Sequence, residues 1–272
     1  MSPLLLLSPL SAWLVMLALS ARAASEQHLP ARALLTSRHL SWAYALPALC
    51  ILAWQAAGLI DAGASLGLLV CLLSGCGTSG AALARSTGSA PGAVVALMVA
   101  SAGIAVVTLP LAVLCRLGGS EAATSAGVIL LTLLMAQWLP FQLGLARFRR
   151  RPASPALAAR LERMASLSVI VLIALIAWQE LPRLPAHPDI ALAAAALAIL
   201  LGLVGGRATA PHAGLDTMVV IRNLTAATLV ASQLPQAASV MTALCAFGLV
   251  MYPVALTQVW RGRVTRKAPT PL

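Results

Sequence analysis

Eight stretches of the chain, 2–21, 39–60, 62–84, 86–115, 122–146, 164–179, 190–206 and 223–260, contain no Asp, Glu, Lys or Arg. About 20 apolar residues cross a bilayer as a helix, so windows of this length confine the chain to one class, an all-α polytopic membrane protein. Composition agrees. Of the 272 residues, 60% are hydrophobic and 9% charged, against about 25% charged in a soluble domain, which excludes a water-soluble globular fold. A membrane β-barrel would alternate with period 2 and turn about every ten residues. The long Ala/Leu/Val runs do neither.

The window 223–260 is too long for one crossing and is interrupted at Gln233-Leu234-Pro235-Gln236. Proline lacks an N–H and suits a first helical turn, so one helix ends near 233 and another begins near 237. The expectation is therefore nine helices, near 3–22, 41–59, 64–85, 91–115, 124–146, 164–181, 189–206, 216–233 and 237–260. Threaded this way, the chain places Arg22, Arg32, Arg38, Arg85, Arg147, Arg149, Arg150, Arg151, Arg160, Arg163, Arg207, Arg261, Arg263, Arg266 and Lys267 on the side opposite the N-terminus. Only Arg116 and Arg183 fall on the other side. Lys and Arg accumulate in cytoplasmic loops, which puts the N-terminus outside and the C-terminus in the cytoplasm, in what reads as a bacterial inner membrane. The net charge of +11 thus reports topology, and no nucleic-acid partner is expected.

The first 27 residues also resemble a secretory signal with a small-residue cleavage site around Ala21 to Ala24. A signal begins with a basic region, and Met1 to Leu19 has no Lys or Arg, so a retained first helix is expected. Cys50, Cys71, Cys76, Cys115 and Cys245 all lie in apolar runs without a C-x-x-C pair or a nearby His, the pattern of inert buried thiols. No metal and no cofactor are expected.

No carboxylate falls in the middle of a predicted helix, although cation-coupled carriers often place one there. The charge that does is Arg222, beside Asn223, the single asparagine of the chain. An ionised guanidinium at that depth costs at least ~2.5 kcal/mol. Either it snorkels or pairs with Asp216, or Arg222 and Asn223 sit at a break in the eighth helix and face an interior cavity. Thr225, Thr228 and Ser232 continue the polarity, though such hydroxyls ordinarily bond their own helix backbone. The third helix carries a matching stretch, Ser74-Gly75-Cys76-Gly77-Thr78-Ser79-Gly80, whose glycines permit close packing or unwinding. Broken helices at corresponding positions of two halves mark a transporter's midplane site. The division is 1–116, helices 1–4, and 117–272, helices 5–9 with a basic tail: two inverted repeats, the first lacking its opening helix. The candidate cavity comprises Gly77, Thr78, Ser79, Gly80, Arg222, Asn223 and Thr225.

At these stretches the chain resembles the bile acid:sodium symporter family, within the wider bile/arsenite/riboflavin-type superfamily of secondary transporters. The family stretch C-P-G-G-T-A-S-N and a glycine eight residues later resemble Leu73 to Gly80 and Gly88, and E-x-G-x-Q-N resembles Met218 to Asn223. Pro140-Phe141-Gln142-Leu143-Gly144 with the Arg-rich loop behind it, and Tyr252-Pro253, are similar too. The resemblance implies discontinuous crossing helices 3 and 8, and transport of a small organic anion. It also implies where sodium would bind, and there the chain departs from the family. Ser79 survives, but the Asn becomes Gly80, the hydroxyl positions fall at Ala93 and Leu97, the Glu becomes Met218 and the Gln becomes Arg222. Hard cations need several oxygen ligands, so a sodium site is not expected to be intact.

Two other functions compete. Gly77-Thr78-Ser79-Gly80 matches the G-x-S-G of a rhomboid-type intramembrane serine protease, with His212 as the base; catalysis would need the two within hydrogen-bond reach. A non-transporting receptor or scaffold is the other.

Overall fold

The structure, a computed structural model, describes residues 3–25, 36–209 and 214–267. Arg32, His212 and the tail beyond 267 lie outside the described residues. Eleven helices and one short 3-10 turn, Leu184–Ala186, follow one another there: α1 (Pro3–Ser25), α2 (37–56), α3 (Ala62–Leu73), α4 (Thr78–Ser86), α5 (Pro91–Leu117), α6 (119–150), α7 (Pro155–Glu180), α8 (Pro188–Thr209), α9 (Asp216–Val220), α10 (Leu224–Ala231) and α11 (Ala237–Lys267). No strand occurs among the described residues. Six helices, α1, α5, α6, α7, α8 and α11, are long and apolar enough to cross a membrane. Of the three other helices expected from sequence, one corresponds to α2, and the third and eighth are each split in two, into α3–α4 and α9–α10.

Local sequence sets the boundaries. The Asp61 carboxylate accepts from Ala64 N at the start of α3, and the Ser154 hydroxyl accepts from Leu157 N one residue before the Pro155 that opens α7, both ordinary N-caps. The π-turns Ser41–Ala45 in α2 and Leu134–Trp138 in α6 each end at a Leu-Pro pair, Leu46-Pro47 and Leu139-Pro140. Proline has no N–H for the carbonyl four residues back and its ring crowds that carbonyl. The turn widens instead, with Leu46 N bonded to Ser41 O and Leu139 N to Leu134 O.

Lipid tails offer little hydrophobic drive between helices, so close approach of small residues supplies the packing. Gly67 is the tightest example on α3: a Cβ there would lie 2.7 Å from the Ala243 Cβ of α11. Gly202 of α8 meets Val254 of α11, where Gln258 Nε2 also donates to Gly202 O at 2.7 Å. One buried cluster joins α2, α3, α8, α9, α10, α11 and the second half of α5 with Ile129 and Leu133 of α6 and Leu172 and Ile176 of α7; another joins α1, α4 and the first half of α5 with Phe141 of α6, Ala165 of α7 and Met218 of α9. The outward face of α7 is apolar and open, with Leu167, Ile170 and Trp178 exposed, as a lipid-facing helix requires.

Candidate functional site

The two helix breaks meet. Between α3 and α4 the chain opens at Ser74 to Gly77, and between α9 and α10 at Ile221 to Asn223. Cys76 and Arg222 form an antiparallel bridge, in which Gly77 N donates to Ile221 O at 2.9 Å and Asn223 N donates to Gly75 O at 3.0 Å. Non-helical backbone is tolerated at membrane depth only where protein satisfies its polar groups, and each break does this for the other. Glycine is required twice. Gly75 has φ +82° and any Cβ would sit 2.9 Å from Ser101 O, while a Cβ on Gly77 would sit 2.7 Å from Arg222 O. Cys76 N donates to Ser101 Oγ at 3.0 Å. Ser101 lies one turn beyond Leu97 on α5, so a hydroxyl does reach the break from that helix, four residues later than the family pattern places it.

Arg222 is 1% exposed. Its Nη2 donates to Ala43 O at 2.7 Å, and its guanidinium lies 4.9 Å from the centroid of the Tyr44 ring. Ala43 O is the carbonyl that Pro47 cannot bond. A charge-assisted hydrogen bond contributes about 1.5–3 kcal/mol and a desolvated cation–π contact ~2 kcal/mol; together they offset much of the burial cost. Neither ion pair found among the described residues includes Arg222. Asp216 is instead packed on Gly205 of α8. His39 Nδ1 lies 3.2 Å from Ala208 O, and its ring meets Tyr44 edge-on at 5.9 Å, which ties this end of α2 to α8.

The other candidates divide. Gly80 packs on Met218 and Ile221, one step from Arg222, and Asn223 caps α10 through Ala226 N at 3.2 Å. Thr225 is buried, whereas the Thr228 and Ser232 hydroxyls turn back to Leu224 O and Leu229 O of their own segment. Ser79 Oγ is 3.1 Å from the Tyr252 hydroxyl on α11. His212, the base a rhomboid reading needs, lies outside the described residues.

Thr78 alone of the seven lines the cavity beside the crossing. This space, about 80 Å³, lies between α1, α4, α5 and α7 and is bounded by Arg22, Thr78, Arg85, Met98, Glu162 and Ser166. Arg22 and Glu162 are paired through one edge of the guanidinium, with Nε donating to Oε1 and Nη2 to Oε2. Arg85 sits within electrostatic reach of both. The cavity and the buried Arg222 are therefore separate features, one on each side of the crossing segment. Sequence reasoning assigned Arg22 and Arg85 to topology and passed over Glu162, whose signal was a lone carboxylate between Arg160 and Arg163. It also missed Tyr44, although the Leu-Pro pair behind it marks a disturbed turn. At the far end of α7 the Glu180 carboxylate is buried, accepting from Thr242 Oγ1 at 2.8 Å and from Arg183 Nη1 at 2.9 Å.

No protein-family model matches the chain, and a search of curated proteins finds no match.

Proposed function

We propose that the chain is a secondary transporter of a small organic anion, a divergent relative of the bile acid:sodium symporters, in a bacterial inner membrane. The observation that carries this reading is the pair of interrupted helices crossing at Cys76 and Arg222, the arrangement by which carriers build a midplane site. On this reading α2 and the split pairs α3–α4 and α9–α10 are crossings too, making nine, with the N-terminus outside. The succession α7, α8, α9–α10, α11 repeats α1, α2, α3–α4, α5 in inverted orientation.

Arg222 takes the part of the coupling cation. A sodium ion would hold a crossing by drawing carbonyl oxygens together; the guanidinium holds the Ala43 carbonyl of α2 against the Ile221–Asn223 break permanently, because Arg stays charged. Transport is then sodium-independent. The half-helix N-terminus at Thr78 carries partial positive charge and borders the cavity, with Ser79 and Asn223 holding the crossing beside it. Uptake of a mixed pool of labelled small organic anions into proteoliposomes, with sodium or choline as the external cation, tests this. Equal uptake in both buffers, reduced about tenfold or more in Arg222→Gln by loss of one charge-assisted bond, is the expected outcome. Strict sodium dependence, or unchanged uptake in the variant, overturns it.

A further inference from the structure

Away from the crossing, a groove of about 310 Å³ opens sideways between α8 and α11, lined by Ile199, Gly202 and Leu203 of the one and Val254, Gln258 and Arg261 of the other. The two helices run in the same direction, because both start near the α2–α3 turn: Asp189 shares a surface hollow with Leu59, and Ser239 packs on Gly63. Their last turns therefore lie at one end of the molecule. There the Arg207 guanidinium lies 5.2 Å from the centroid of the Trp42 ring, and Arg and Trp side chains of this kind gather at the headgroup level of a bilayer. Toward the opposite end the groove walls are apolar, with Ile199 and Leu203 exposed. A Cβ on Gly206, one turn beyond Gly202, would meet nothing within 4 Å, so the groove stays open to the headgroup level.

One polar atom in this groove is unanswered. Gln258 Nε2 donates to Gly202 O at 2.7 Å. A carbonyl accepts only from the nitrogen of an amide, so this bond fixes which way the side chain points. Gln258 Oε1 is then left buried with no hydrogen-bond partner among the described residues, and a buried acceptor calls for a donor. We infer that the groove holds a phospholipid of single negative charge with a hydroxyl-bearing headgroup, phosphatidylglycerol. An acyl chain runs along Ile199, Leu203 and Val254, the phosphate meets Arg261, and a headgroup hydroxyl donates to Gln258 Oε1. The five N–H donors of a guanidinium let Arg261 hold a phosphate beside any other contact it makes. Charge and donor separate this lipid from its relatives: phosphatidylmethanol keeps the charge and lacks the donor, and phosphatidylcholine lacks both.

The test is native mass spectrometry of the full chain in detergent micelles, titrated with these three lipids carrying the same acyl chains. Phosphatidylglycerol is expected to bind about fivefold or more tighter than phosphatidylmethanol, as one hydrogen bond gives, and phosphatidylmethanol about fivefold tighter than phosphatidylcholine, as one Arg near the membrane surface gives. The first ratio isolates the Gln258 contact from lipids held elsewhere by charge alone. Gln258→Leu brings that ratio to one. Arg261→Gln keeps it and narrows the second. Gly206→Phe, which fills the groove, also brings the first ratio to one, whereas Gly127→Phe, at an open position of α6, keeps the parental values. Equal binding of phosphatidylglycerol and phosphatidylmethanol by the parent, or the parental ratio in a folded Gln258→Leu, overturns the proposal. So does a lipid-free dimer that Gly206→Phe disrupts, since a second copy of the chain would then fill the groove. If Gln258→Leu does not fold, the parental ratio and Gly206→Phe decide.

Discussion

Gly75 and Arg222 carry the crossing at the scale of single residues, for opposite reasons. Gly75 is there for what it lacks. Its φ of +82° and its approach to Ser101 O combine left-handed backbone strain with a steric clash in any other residue, together roughly 2–4 kcal/mol. Gly75→Ala is therefore expected to lower the thermal midpoint in micelles by about 5–10 °C. Gly103→Ala, at a helical position of α5 with nothing within 4 Å of a new Cβ, should be neutral or slightly stabilising. Equal midpoints for the two variants would contradict this account of the break. Arg222 is there for its reach. Its charge and its position beside Asn223 were legible in the sequence as an anomaly needing a partner, but the partner was not. The bond goes to a main-chain carbonyl 179 residues away, and no pattern of residue types records which backbone oxygen lacks a donor.

That missing donor belongs to the element scale. Pro47 frees Ala43 O by depriving it of its helical N–H, and the π-turn at Ser41–Ala45 turns the freed oxygen into an acceptor for Arg222. Restoring the N–H with Pro47→Ala gives Ala43 O a local donor in competition with the guanidinium. Under the proposed carrier function, uptake is expected to fall about tenfold, the value of one charge-assisted bond. The loss should not add to that of Arg222→Gln, since both changes remove the same contact. Pro140→Ala, just after the π-turn of α6, which makes no bond to Arg222, is the control. Fully additive losses in the double variant would show that Pro47 acts elsewhere. Some helix ends were readable from charges and prolines, and the expected 91–115 and 237–260 lie within the observed Pro91–Leu117 and Ala237–Lys267. The start of α7 was not: it lies at Pro155 and not at the expected 164, because Arg160, Glu162 and Arg163, read as a loop, continue the helix. The π-turns were not, because an apolar run reads alike whether its hydrogen bonds span four residues or five.

For the whole molecule, the fifteen-to-two partition of Lys and Arg predicts orientation. A reporter active only outside the cytoplasm should work when fused after Ser2 and fail when fused after Pro269; strong activity of the second fusion would break the nine-crossing arrangement. The cavity was the least legible feature, since it takes Arg22 from α1, Arg85 from α4 and Glu162 from α7, residues up to 140 positions apart. Charges that sort a chain across a membrane look the same in sequence whether or not they also meet in space. The strand-like contact of the two breaks is itself made by main-chain hydrogen bonds, from Gly77 N to Ile221 O and from Asn223 N to Gly75 O, which do not depend on which side chains surround them. Mutation is then free to rewrite the chemistry around it. A backbone contact of this kind keeps its shape while the side chains around it change, so the architecture can outlast any motif written in those side chains.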